Sequence, residues 1–211
     1  MTIFYPTGDW EWYKSGKKDR GIWNGKFKPM SSKEWFDYVA GIVREEIKGF
    51  DKILDAGCGE GLVMMTLNNM IIDNEIDGFD VWEKRVNIAE KLNPENIIFI
   101  ASIDKLPMEN NYYDCSYTVH VLEQCNDIKE KAIEELLRVT KKKLIFIEPI
   151  YEHGNMFQRW HMRRHKYLMG FIILLKKLEK EGRIKIIKMG KLHTYSNPLN
   201  PPYLIVVEKL R

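Results

Sequence analysis

A strand, a tight turn and a helix, repeated along most of the chain, constrain this sequence more than anything else in it. Lys52 to Ala56 reads as a short strand that runs straight into glycines, and 62–69 as the helix behind them. Residues 75–80 form a second strand, 82–92 a second helix that Pro94 terminates, and 96–101 and 114–120 two further strands. Ile128, Ala132, Ile133, Leu136 and Leu137 make one helical face, 144–147 is a strand stopped by Pro149, and 167–180 is a helix. Strands follow at 184–189 and 203–208. Strands alternating with helices predict a mostly parallel sheet covered on both faces. The last two strands are joined by the Asn- and Pro-rich stretch 190–202 rather than by a helix, so the final strand is expected to be antiparallel. The fold class is therefore α/β, a Rossmann-like seven-stranded sheet.

A chain of 211 residues fits one such domain with a short extension. The expected division is 1–49, an aromatic cap segment and helix, and 50–211, the α/β domain with an insertion at about 150–167. Trp10, Trp12, Tyr13 and Trp23 stand without periodicity, as core or as a cover over a site. Ser31 and Glu34 read as a capping box, followed by Trp35, Val39, Ile42 and Val43 at helical spacing, with Gly49 closing the pattern.

The net charge of +3 is too small for a general nucleic-acid platform. Cys58, Cys115 and Cys125 are widely spaced and odd in number, which predicts a reducing cytoplasm rather than a disulfide framework. The N-terminus lacks the pattern of a signal peptide, and the longest strongly apolar run, 171–175, is too short to cross a bilayer. Leu168, Phe171, Ile172 and Leu175 could face a membrane surface, but their period fits a helix covering the sheet better.

The turn Asp55-Ala56-Gly57-Cys58-Gly59-Glu60-Gly61 lies between the first strand and the first helix of the sheet. Ligands of open parallel sheets bind at that end of the strands. The glycine spacing fails the dinucleotide pattern, which needs two residues between its last two glycines. The carboxylate of Asp55 disfavours a pyrophosphate and suits a cationic amine. Asp80, at the end of the second strand, can accept hydrogen bonds from both hydroxyls of a ribose. An amine and a ribose without phosphate are what these groups ask for.

Asp-Ala-Gly-Cys-Gly-Glu-Gly resembles the first motif of class I S-adenosylmethionine (SAM) dependent methyltransferases, of the methyltransferase-11 type. Leu106-Pro107, Tyr113-Asp114 and His120-Val121-Leu122-Glu123 are similar to later motifs of that family, so the likeness runs over residues 50–150. It implies SAM as cofactor and S-adenosylhomocysteine as product. It implies that Asp55, Ala56, Gly57, Cys58 and Gly59 line the methionine part, Asp80 the ribose and Val81 the adenine. Ser102 stands where the family often has an acid for the adenine amine, so either Ser102 or Asp104 makes that contact, with Ile103 offering its backbone N–H. His120 is expected near the sulfonium, as a base or as a packing group.

The segment 151–167 follows the fifth strand and concentrates His153, Arg159, His161, Arg163, Arg164, His165 and Lys166 against one acid, Glu152. One reading is a solvated basic helix face. The other is a pocket for a small anionic acceptor, with His153, Arg159, Arg163 and Arg164 as its contacts, because arginine binds phosphate and carboxylate bidentately. His120 and His153 are then the two candidate general bases, and no metal site is expected. The segment and residues 197–209, Asn-Pro-Leu-Asn-Pro-Pro-Tyr-Leu-Ile-Val-Val-Glu-Lys, are faintly similar to methyltransferases of bacterial surface-polysaccharide synthesis. That likeness implies methyl transfer to oxygen or nitrogen of a sugar, a sugar nucleotide or a phosphoramidate-type precursor. The alternative is a catalytically silent SAM-binding partner subunit, marked by a large exposed apolar patch. The sequence leaves the oligomeric state open.

Overall fold

The structure, a computed structural model, describes residues 32–70, 73–165, 167–192 and 199–210. The N-terminal aromatic cap, Ser31 of the expected capping box and Lys166 lie outside the described residues.

Helix α1 (Ser32–Ile47) precedes strand β1 (Lys52–Ala56), α2 (Leu62–Asn69), β2 (Glu75–Asp80), α3 (Glu83–Leu92) and β3 (Ile98–Ile100). Strand β4 (Tyr113–Val119) leads through a 3-10 turn (Leu122–Gln124) to α4 (Lys129–Val139) and β5 (Thr140–Pro149). A second 3-10 turn (Tyr151–His153) opens α5 (Met156–Arg164), after which come α6 (Phe171–Lys180), β6 (Ile184–Lys191) and β7 (Pro202–Lys209).

The sheet has seven strands in the order β3-β2-β1-β4-β5-β7-β6. Strands β1 to β5 pair in parallel, and β7 is antiparallel to both its neighbours, β5 and β6. The expected seven-stranded, mostly parallel sheet with an antiparallel last strand is what forms. Successive residues of a strand face opposite sides of the sheet, and the core divides accordingly. Ile53 packs with Val39, Val43, Met64, Leu67 and Ala89, so α1, α2 and α3 cover one face. Leu54 packs with Ile133, Leu136, Phe171 and Leu175, so α4 and α6 cover the other. This is why β1, buried from Ile53 to Ala56, shows no polar alternation.

Of the boundaries that differ from the sequence reading, two have a clear physical reason. Helix α6 begins after Gly170, whose left-handed φ of 76° is incompatible with a helix running through from Tyr167. Strand β5 is longer than 144–147 and includes Pro149. The proline is tolerated because it sits opposite Pro202 at the last rung of the ladder, where neither N–H is needed. Residues 156–164, read from the sequence as either a solvated basic helix face or an acceptor pocket, form a helix fixed by a full capping box. In it the Asn155 side chain accepts from Gln158 N and the Gln158 side chain accepts from Asn155 N. Among the described residues, no helix is long and apolar enough to cross a membrane.

Candidate active site

Strand order reverses between β1 and β4, and in such sheets the crevice beyond the strand ends at that point receives ligands. Two loops meet there. The turn after β1 carries Gly57, Gly59 and Gly61 with φ of 78°, 57° and 73°. The loop after β4 carries His120 and Val121. A Cβ on Gly57 would stand 2.5 Å from Cγ1 of Val121, so the two loops touch with no room for a side chain. Cys58 N donates to Phe79 O at 2.8 Å and ties the turn to β2.

Two buried carboxylates flank the turn. Tyr117 Oη donates to Asp55 Oδ2 at 2.8 Å. Burial pushes the Asp55 carboxyl up to about 7; the tyrosine bond opposes this and the neighbouring Asp80 charge adds to it. Asp80 accepts Gly59 N on Oδ2 at 3.1 Å and Trp82 N on Oδ1 at 2.9 Å. Each oxygen keeps a further lone pair. Beside it Val81 and Trp82 are largely exposed, an apolar step at the rim. Burial, with Asp55 and Asp80 nearby, raises the Cys58 thiol, which makes it a neutral packing group rather than a nucleophile.

On the β3 side, Ser102 Oγ donates to Asp104 Oδ1 at 2.5 Å, so the two residues proposed as alternatives form one unit. Ile103 between them is buried.

After β4, His120 adopts a left-handed φ of 56°, uncommon for a residue with a side chain. Its Nδ1 lies 3.2 Å from Glu123 Oε2, and its ring meets the Trp35 ring edge-on at 5.7 Å between centroids. Burial works against protonation of the imidazole, but the Glu123 charge and hydrogen bond, with Glu148 behind them, outweigh it and raise the pKa. Glu148, fully buried near the end of β5, is a residue that sequence reasoning missed. Its Oε1 accepts Val121 N at 3.0 Å and Leu122 N at 3.1 Å, and its Oε2 accepts Glu123 N at 3.3 Å. It closes the N-terminus of the 3-10 turn that carries Glu123. Burial and the Glu123 charge push its carboxyl up to about 7. The signal available was an acid closing an otherwise apolar strand, Leu-Ile-Phe-Ile-Glu-Pro.

The post-β5 segment separates its predicted residues. Arg159 and Arg163 line one cavity of about 470 Å³ together with Tyr151, Gly154, Met156 and Trp160. Arg159 Nη2 donates to Glu152 O at 2.7 Å, which holds the guanidinium in place. Arg164 lies off the cavity, its guanidinium 5.9 Å from the centre of the Trp160 ring. His153 packs edge-on against Tyr203, 5.0 Å between ring centres. Burial and the neighbouring His165 lower the His161 pKa, and the Glu123 charge acts against them. Among the described residues, no group of His, Cys, Asp and Glu could hold a metal ion.

Residues 54–147 match the model of a methyltransferase domain family. The chain is 30% identical over 106 residues to malonyl-(acyl-carrier protein) O-methyltransferase of Buchnera aphidicola, covering 50% of this chain and 42% of that one. It is 33% identical over 106 residues to an uncharacterized methyltransferase of Schizosaccharomyces pombe, 45% of this chain and 38% of the other. The chain thus spans less than half the length of either relative. Among solved structures, the cyclase SpnF superposes with a TM-score of 0.72 at 17% identity, over 96% of this chain and 92% of that one. Magnesium protoporphyrin IX methyltransferase of Synechocystis, with bound S-adenosylhomocysteine, superposes with a TM-score of 0.66 at 14% identity, over 96% and 95%. At such identities the likeness is one of fold, and a cyclase on the same fold shows that the reaction must be argued from the site.

Proposed function

Residues 54–147 are a class I SAM-dependent methyltransferase domain, and from that premise we propose that this chain transfers a methyl group from SAM to an oxygen or nitrogen of a small anionic acceptor. The observation that carries the reading is the pair of buried acids, Asp55 and Asp80, on either side of a glycine turn that has no room for a side chain at Gly57.

The residues suit the cofactor. Asp80 has lone pairs left for ribose hydroxyls, and exposed Val81 and Trp82 offer an apolar rest for adenine. Asp55 sets a carboxylate toward a cationic amine, and Gly57 and Gly59 allow the methionine part to approach the backbone. Ser102, Asp104 and the Ile103 N–H serve the adenine edge. When bound, SAM supplies an electrophilic methyl group on a sulfonium. The chain's own work is to align the acceptor for in-line attack and keep water out. His120 can take a proton from a hydroxyl acceptor: Glu123 occupies Nδ1 and raises the ring's basicity, which leaves Nε2 for the proton. Glu148 positions the loop that carries both. His153 is the second candidate base.

Arg159 and Arg163 in a cavity at the same sheet end support a phosphate- or carboxylate-bearing acceptor. The sequence likeness to methyltransferases of bacterial surface-polysaccharide synthesis favours a sugar, sugar nucleotide or phosphoramidate-type precursor, in the cytoplasm. A transfer assay with labelled SAM over phosphorylated sugars and nucleotides tests this, beside calorimetry with SAM and NAD. NAD binding without SAM binding would overturn the donor. Asp80→Ala should weaken SAM at least tenfold, about 1.4 kcal/mol. Arg159→Ala and Arg163→Ala should raise the acceptor KM and leave SAM affinity alone; normal acceptor kinetics in both would remove the anionic pocket. SAM binding with no transfer to any acceptor would leave the silent-subunit reading standing.

A further inference from the structure

Helix α5 is nine residues long and holds itself to the protein by one side only. Gln158 and Met162, four apart, are buried. The opposite side carries Met156, Trp160 and Arg163, flanked by Phe157 and Arg164 on one edge and Arg159 on the other, as helical geometry requires. Met156 is 76% exposed, Phe157 70% and Trp160 63%, three large apolar side chains in water on one short element. Between them stand three arginines, and the helix contains no acid.

We propose that this face docks on an anionic membrane surface, with the apolar side chains in the headgroup layer and the arginines on lipid phosphates. The docking deepens the acceptor reading above, on which it rests for its purpose: it turns the Arg159–Arg163 cavity toward the headgroups. Large apolar side chains beside arginines suit a surface that offers both an acyl boundary and anionic headgroups. A second copy of the chain fits poorly, because its own three arginines would oppose these. A stable protein interface needs roughly 800 Å² per partner, more than one two-turn helix presents. A lipid surface needs only a few inserted side chains, with each arginine adding about 1 kcal/mol near anionic headgroups.

The test is co-sedimentation of the whole chain with vesicles of equal parts phosphatidylglycerol and phosphatidylcholine, against phosphatidylcholine alone. Binding is expected to the anionic vesicles only, and to fade at high salt. Neither Phe157→Ser nor Arg164→Gln alters a residue that lines the cavity, so SAM binding should stay normal, which also certifies folding. Arg164→Gln should lower vesicle affinity about fivefold and Phe157→Ser about tenfold. No binding by the unmodified chain at low salt, or full binding by the double variant, would overturn the docking. So would a concentration-dependent dimer that Phe157→Ser abolishes. None of these outcomes depends on finding an acceptor, so docking and the acceptor reading fail separately.

Discussion

The turn after β1 and the helix after β5 sit at the same end of the sheet and are built in opposite ways. In the first, side chains and backbone are locked together. Asp55 is held by Tyr117, Asp80 by Gly59 N and Trp82 N, and the Val121 loop by Glu148. In the second, three arginines and three large apolar side chains face outward, and one capped, half-packed helix carries them all. A site fixed on every side can bind only one shape and cannot change without cost to the fold. A site held by one face can vary its chemistry almost freely. The turn after β1 is therefore where stability and binding should be inseparable, and helix α5 where they should come apart.

Gly57→Ala probes the locked side with the largest expected effect. The φ of 78° strains any L side chain, and the new Cβ would meet Val121 Cγ1 at 2.5 Å and Cγ2 at 2.7 Å. Valine is stiff about its Cα–Cβ bond, and its backbone N is already engaged by Glu148. Neither partner can move aside. Strain and overpacking together should cost about 2–4 kcal/mol in denaturant unfolding, with SAM binding lost in the same variant. A stable Gly57→Ala protein with intact SAM affinity would break the contrast.

Acidity gives a middle-sized effect on the locked side. Burial pushes Asp55 to about 7, so the folded protein keeps a proton that the unfolded chain releases at about pH 4. Stability of the ligand-free protein therefore falls as pH rises between those values, and buried Glu148, also pushed to about 7, acts in the same direction. SAM binding should show the reverse trend, because its amine favours the ionised Asp55. Affinity should rise between pH about 5.5 and 7, by up to about tenfold per unit, as linkage requires. Asp55→Asn should flatten the profile in calorimetry. An equally steep profile in that variant would assign the proton elsewhere.

The same contrast explains what the sequence could tell. The turn was legible because its requirements are local: glycines at positive φ and an acid at the end of each of two strands are contiguous patterns. The sheet, including its antiparallel last strand, was legible from periodicity and the missing helix before β7. Glu148 was not, since its three backbone partners lie 25 to 27 residues away and no local pattern announces them. The Asp55–Tyr117 bond spans 62 residues. In the basic segment, residue types announced the charge but not its division. Only the helix shows that Arg159 and Arg163 share a cavity while Arg164 leans on Trp160.

Gly154→Ala is the smallest change and the most direct partner to Gly57→Ala, because it adds the same methyl group to a glycine that lines the proposed acceptor cavity. Here φ is −72°, an ordinary value for any residue. The new Cβ would come within 2.8 Å of Met162 Cε and 3.2 Å of Gln158 Cβ. The nearer atom is the tip of a flexible methionine, which can swing away. Alanine also restricts the unfolded chain, a gain of about 0.4–1 kcal/mol that offsets the crowding. Unfolding free energy should change by less than about 1 kcal/mol, while the new Cβ, 3.4 Å from Cγ of the cavity-lining Arg159, displaces that side chain, raises the acceptor KM and leaves SAM binding untouched. If Gly154→Ala instead unfolds the protein as Gly57→Ala should, helix α5 is as firmly built in as the glycine turn, and its exposed face is a consequence of packing rather than a surface free to serve a ligand.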